Sequence, residues 1–261
     1  MSTGMSDTQT SHGASYVQYE QIILFGDSIT QGSANQDKGF AFLPALQNEY
    51  TRRYDVLNRG FSGYTSEQGL VVLPQIFPPV EKETVRLMTI FFGANDAVLP
   101  GGSQHVPLET YKQCLQAMIK HPAVQAQRTK ILLFTPPPVN EYQLDPVLAN
   151  GDVAIRLAAV TKQYADACRE VGESLGVAVV DIWTAFMTAV GWTKDGPLAG
   201  SKDAPPNEKL AALLSDGLHF NPAGYRIMFD EVMKVIRLSY PEELPDHVPV
   251  KFALWADAPR K

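Results

Sequence analysis

The chain predicts an α/β fold, a three-layer α/β/α sandwich around a five-stranded parallel sheet of flavodoxin-like order 2-1-3-4-5. Three observations predict it. Five short runs are continuously apolar, as strands covered on both faces are. Segments with apolar residues at helical spacing alternate with them. Glycine, proline or a short polar turn stops most of the runs. No repeat or interdomain linker divides the 261 residues, a length that suffices for one large domain with a full core.

The elements follow in order. Met1 to Ser15 is rich in Ser, Thr and Gly, without an apolar or basic targeting pattern, and reads as a disordered lead-in. Ile22 to Phe25 is the first strand, broken by Gly26. Phe40, Leu43, Leu46 and Tyr50 share one face of a helix. Tyr54 to Asn58 is the second strand, and Ser62 to Ser66 is a turn feeding a helix from Glu67 to Ile76, with Thr65 or Ser66 as its cap. Arg86 to Phe92 is the third strand, stopped by Gly93. A helix over Leu108 to Lys120 precedes the fourth strand, Lys130 to Phe134, which three prolines close off at Pro136. A helical pattern from Asp152 to Leu175 ends at Gly176, a C′ residue. Val177 to Val180 is the fifth strand, followed by helices over Ile182 to Val190, Glu208 to Leu214 and Pro222 to Leu238, with an irregular insertion over 192–207. The domain thus spans 16–240. The tail, 241–261, is proline-rich but carries Val248, Val250, Phe252, Leu254 and Trp255. Its apolar spacing predicts burial of Phe252 and Trp255, on the domain or on a second copy of the chain in a homodimer.

Composition narrows the function. The net charge is −6 and no Lys/Arg cluster exists, which argues against nucleic acid or an anionic membrane as partner. No apolar run approaches the ~18 residues of a membrane span. Cys114 and Cys168 offer neither a disulfide framework nor metal spacing, which suits a reducing compartment, and the cytosol is the default address.

In such a sheet the loops after the strands meet at one edge, where ligands bind. Ser28, just after the first strand, is a candidate nucleophile there, although Asp27 or Ser28 equally suits the N-cap of the next helix. The G-x-S-x-G elbow is absent, because Thr30 follows where its second glycine would stand. Gly63 follows the second strand and Gly93-Ala94-Asn95-Asp96 the third. The Asn95 amide and the backbone N–H groups of Gly63 and Ser28 could donate to a developing oxyanion. An Asx turn at Asn95 and a positive φ at Gly63 are the structural readings of the same residues. Of the five histidines, His12, His105 and His247 lie in a lead-in, a loop and a tail, and His121 precedes Pro122 at a helix end. His219 has Asp216 three residues upstream, placed to turn back onto the ring and free Nε2 to take a proton.

The segments FGDSIT, SGYTS, GANDA and DGLHFN, in that order, resemble the four blocks of the SGNH-hydrolase family, also called GDSL esterases. The first block reads GDSI here, an exchange of one apolar residue for another. Within the family the sequence looks most like the isoamyl acetate-hydrolysing esterase group, through LFGDSITQ, NRGFSGYTS, FFGANDA, QHVPL, TPPPVNE and DGLHFNPAGY. The resemblance implies the fold, a triad of Ser28, Asp216 and His219, and an oxyanion hole of Ser28, Gly63 and Asn95. It implies hydrolysis of small carboxylic esters, acetates above all, with no metal and no organic cofactor, and no proton-transfer role for Asp27 or Asp96. Phe61, Tyr64, Val98 and the TPPPVN loop are candidates for an apolar substrate wall, and core packing accounts for them equally. The insertion Lys194 to Asn207 looks longer than the group's shorter members carry and stands where it could alter the pocket rim. A lysophospholipase or thioesterase would use the same residues on a larger substrate. A binding module would keep the fold without the chemistry, and the full residue set argues against it.

Overall fold

A computed structural model describes residues 16–144 and 156–260. The expected disorder of the lead-in, and the start of the helix expected from Asp152, lie outside the described residues. The elements run β1 (Glu20–Gly26), α1 (Ser28–Gly32), α2 (Phe42–Glu49), β2 (Tyr54–Gly60), α3 (Ser66–Ile76), β3 (Val85–Phe91), α4 (Leu108–Ile119), α5 (Pro122–Ala126) and β4 (Lys130–Phe134). They continue with α6 (Glu141–Leu144), α7 (Ala158–Leu175), β5 (Ala178–Val180), α8 (Ile182–Ala189), α9 (Glu208–Ala211) and α10 (Pro222–Ser239). All strand pairs are parallel and the order is β2-β1-β3-β4-β5, as the sequence predicts. Helices α5 and α6 are not marked by apolar periodicity. His121 stands at the C-terminal end of α4, its N–H donating to Met118 O at 3.2 Å, and is also the N-cap of α5, its Nδ1 accepting from Ala123 N at 3.3 Å.

Alternation along β1 divides the core. Ile22 and Leu24 face α2, α8 and α10, whereas Ile23 and Phe25 face α3, α4 and α7. Both faces are covered, which is why the strands read as unbroken apolar runs. The order reverses direction between β1 and β3, so their C-terminal ends open the crevice where such sheets place ligands. Gly26 at the end of β1 is paired with Gly60 on one side and Phe91 on the other. A Cβ on Gly60 would fall 2.1 Å from the Gln31 backbone N. Only glycine lets α1 descend onto the end of β2, and that descent sets the height of Ser28 above the sheet.

The chain's last segment packs on the domain in part, with Val248 6% exposed and within the core. Phe252 and Trp255 are 50% and 85% exposed, so their spacing does not bury them in this chain. The tail is fastened by Glu243, whose side chain is fully buried beneath the N-terminal ends of the strands. Glu243 accepts from Tyr54 Oη on β2 at 2.7 Å, Arg86 on β3 at 2.6 Å and Lys130 on β4 at 2.9 Å, and its carbonyl accepts from Tyr50 Oη at 2.7 Å. Among the described residues, no helix is long and apolar enough to cross a membrane.

Candidate active site

Asp27 follows β1 in an extended conformation and caps α1, its Oδ1 accepting from Ile29 N at 2.9 Å. The cap turns the chain so that Ser28 begins the helix, half-buried at the sheet's carboxyl edge. The capping reading of this stretch holds for Asp27, and the cap presents Ser28 at the sheet's edge. Ser28 Oγ lies 2.9 Å from His219 Nε2, across 191 positions of chain. His219 Nδ1 lies 2.6 Å from Asp216 Oδ2.

The loop carrying the last two residues is built locally. Asp216 Oδ1 accepts from Leu218 N at 3.0 Å and His219 N at 2.8 Å, an Asx turn that aims the other carboxylate oxygen at the ring. Leu214 and Phe220 bridge below it, and Asn140 N donates to Gly217 O at 2.9 Å. The TPPPVN segment is therefore a buried brace for this loop rather than an open wall of the pocket. The hydrogen bond that the His219 ring donates to Asp216 raises the His219 pKa above its ordinary value against the effect of burial. Burial alone would push Asp216 up, but the bonds from the His219 ring and the backbone outweigh it and bring the carboxyl down to about 2. At neutral pH Asp216 is an anion, so it favours the tautomer with the proton on Nδ1 and leaves Nε2 as an acceptor.

The turns after β2 and β3 are bonded to each other and to α1. Phe61 N donates to Gly26 O at 2.8 Å, and Ser62 N to Gln31 Oε1 at 2.9 Å. Asn95, 3% exposed, donates from Nδ2 to Tyr64 O at 2.8 Å, which leaves one amide hydrogen. Gly63 has φ +81°, a conformation that favours glycine, so the positive-φ reading of this residue is correct. The backbone N–H groups of Ser28 and Gly63 donate to no acceptor among the described residues. Asp96 Oδ1 accepts from Ser66 N at 2.9 Å and from the Ser66 hydroxyl, locking the loop after β3 to α3. Burial pushes Asp96 up to about 6 and Asp27 up to about 7.

Phe61 and Tyr64 stack at 5.2 Å and are half-buried, whereas Val98 is 1% exposed. A cavity opens onto the relay, and Phe61, Tyr64 and Val98 are not among its lining residues. It holds about 180 Å³ between Ser28, His219, Gly32, Phe40, Asn35 and Lys38. Apolar patterning did not mark this cavity, because its wall mixes polar Asn35, Lys38 and Asn221 with apolar Phe40, Phe220 and Tyr225 from two distant segments. Two further residues escaped the sequence reading: Arg156 and Gln104, which bond to Asn95 and Gly63. The signal was a lone arginine in the apolar run Val153 to Val160, a charge that demands buried partners.

A parallel sheet with a hydroxyl, an imidazole and a carboxylate in one hydrogen-bonded line at its carboxyl edge has the constellation of an acyl-bond hydrolase. The profile of the GDSL-like Lipase/Acylhydrolase family matches residues 24–227. The chain belongs to that family and is a carboxylic-ester hydrolase. It is 36% identical to the isoamyl acetate-hydrolyzing esterase 1 homolog of Mus musculus over 86% of this chain and 84% of that one. It is 31% identical to the isoamyl acetate-hydrolyzing esterase of Saccharomyces cerevisiae, over 92% and 95%. The crystal structure of a lipase/acylhydrolase from Enterococcus faecalis superposes with a TM-score of 0.59 at 26% identity, over 90% of this chain and 100% of that one.

Proposed function

We propose that the protein hydrolyses short-chain carboxylic esters, acetates of medium apolar alcohols, through an acyl-enzyme formed on Ser28. The observation that carries the reading is the line from Ser28 Oγ to His219 Nε2 at 2.9 Å and from His219 Nδ1 to Asp216 at 2.6 Å. Ser28 Oγ attacks the ester carbonyl as its proton passes to Nε2. Asp216 stabilises the imidazolium without taking its proton. The oxyanion is held by the N–H groups of Ser28 and Gly63 and by Asn95 Nδ2. The carbon–alkoxide bond then breaks, and Nε2 returns the proton to the leaving alcohol. Water, deprotonated by the same nitrogen, attacks the acyl-enzyme, and the acid leaves as Ser28 regains its proton.

The size of the substrate is supported by the cavity beside Ser28, whose roughly 180 Å³ falls below the ~300–1,000 Å³ of sites for drug-sized ligands. The names of the mouse and yeast relatives point to acetate esters as well. The test pairs Ser28→Ala with a nitrophenyl ester series. The variant is expected to lose both esterase activity and covalent labelling by a fluorophosphonate, and the wild type to favour acetyl and butyryl over decanoyl esters. A Ser28→Ala enzyme that keeps most of its activity overturns the mechanism. A preference for decanoyl or longer chains overturns the substrate class.

A further inference from the structure

Arg156 takes no part in the proton relay, yet its guanidinium is tied to both lateral donors of the oxyanion site. Its Nε donates to Ala94 O at 2.9 Å. One terminal nitrogen donates to Asn95 Oδ1 at 3.0 Å and to Gln104 Oε1 at 3.2 Å. Gln104 carries the tie onward, its Nε2 donating to Gly63 O at 2.7 Å. Arg156 is only 8% exposed, and the acceptors of these three bonds are all neutral. Burial lowers its pKa despite the attraction of Asp27 and Asp216. A cation held this way is a cost to the fold that apolar packing would avoid. Its position behind the site gives that cost a purpose.

We infer that Arg156 is a positioning residue, which through Asn95 Oδ1 and the Gln104 bridge to Gly63 holds two oxyanion donors in register. The inference rests on the reading of Asn95 and Gly63 as oxyanion donors. An amide side chain can present either its oxygen or its NH₂ to a given side. The guanidinium accepts nothing, so only the oxygen can face it. The Asn95 NH₂ is then turned toward Tyr64 O and the reacting carbonyl. The charge-assisted bond at Oδ1 also polarises the amide and strengthens Nδ2–H as a donor. Gln104 applies the same logic one step further: its oxygen faces Arg156, so its NH₂ faces Gly63 O and fixes the peptide next to the Gly63 N–H. Lysine would keep the charge without the planar fork that reaches three acceptors.

The test is a double-mutant cycle read as kcat and KM on a nitrophenyl acetate, using Arg156→Met, Asn95→Ala and the pair. Arg156→Met is expected to lower kcat about ten- to a hundredfold, the scale of a slightly misplaced catalytic group, with KM little changed. Added to Asn95→Ala it is expected to cost only about twofold, because the donor it bonds directly is gone and only the indirect tie through Gln104 to Gly63 remains to be lost. Arg156→Lys is expected to recover part of the lost kcat and not all of it. Gln104→Ala, at a half-exposed position, gives a milder version of the same cycle should Arg156→Met fail to fold. If Asn95→Ala lowers kcat and the Arg156→Met penalty is the same in both backgrounds, or falls on KM alone, the positioning role is wrong while the oxyanion reading stands. If Asn95→Ala leaves kcat at the wild-type value, the oxyanion reading fails and takes this inference with it.

Discussion

Replacing Asp216 by asparagine separates a carboxylate that orients an imidazole from one that merely closes a turn. Asp216 Oδ1 is pinned by the N–H groups of Leu218 and His219, at 3.0 and 2.8 Å, while Oδ2 faces His219 Nδ1 at 2.6 Å. An asparagine must keep its oxygen on the two backbone donors, since its nitrogen cannot accept them. Its NH₂ is thereby turned onto Nδ1 and donates to it. Nδ1 becomes an acceptor, and the ring proton is forced to Nε2. That proton then points at Ser28 Oγ from 2.9 Å, where the reaction needs an acceptor. The same exchange in a Ser–His–Asp relay costs about 10⁴ in kcat, or about 5 kcal/mol of transition-state stabilisation. The assay is kcat/KM on a nitrophenyl acetate for the wild type, Asp216→Asn and Asp216→Ala, with thermal melts to show that each is folded. Alanine leaves the tautomer free, so asparagine is expected to be no better than alanine despite its shape. If Asp216 served only the turn, the ranking would invert. Asparagine would keep both backbone bonds and nearly full activity, and alanine would be the damaged variant. The pH profile adds a second reading. The Asp216 hydrogen bond raises the His219 pKa, and the base must be neutral to act, so removing it moves the acid limb of Asp216→Ala to lower pH. An asparagine variant above about a tenth of wild-type activity refutes the orientation argument.

Two predictions concern buried carboxylates outside the relay. Glu243→Gln keeps a side chain of the same shape but removes the charge that Arg86 and Lys130 bond to, and urea unfolding should show a loss of about 1–3 kcal/mol. Burial would raise the Glu243 pKa, but the bonds from Lys130, Tyr54 and Arg86 lower it overall. Its stabilisation is therefore present above the ordinary carboxylate pKa and is lost as pH falls through the lowered one, so the acid loss of stability should be smaller in Glu243→Gln than in the wild type. Asp27 has the opposite sign. Burial raises it to about 7, so the folded state holds a proton that the unfolded state has already released. Stability should fall as pH rises from about 4 to about 7, and Asp27→Asn, which can still cap Ile29 N, should flatten that slope in urea titrations. An unchanged slope would show that the Asp27 carboxyl is ionised in the folded protein.

What the sequence makes legible is what each residue needs from its near neighbours. The apolar runs of β1 and β3 reveal a sheet covered on both faces because nothing distant must be known to read them. Ser28, Gly63, Asn95 and His219 could each be singled out on a turn of local chemistry, the Asp27 cap, a positive φ, a buried amide and an Asx turn from Asp216, but only the four blocks together set the chemical reading above the structural one. The residues that escaped have partners far along the chain. Arg156 meets Asn95 across 61 positions, and Glu243 meets Tyr54 across 189. Periodicity carries no information about such pairs. A charge within an apolar stretch says only that some partner exists. Within this single chain the tail shows the converse case. Phe252 and Trp255 recur at spacings that would mark a face in a strand or helix, but outside regular structure spacing defines no face, and both stay exposed. Glu243, the residue type least expected to be buried, anchors that segment because three donors from β2, β3 and β4 converge on it. The same physics governs the active site. A local turn can present a reactive group and, as Asp216 does for His219, orient it, but Asn95 and Gly63 are tied by Arg156 and Gln104 from elsewhere in the chain, and those ties are what the sequence conceals.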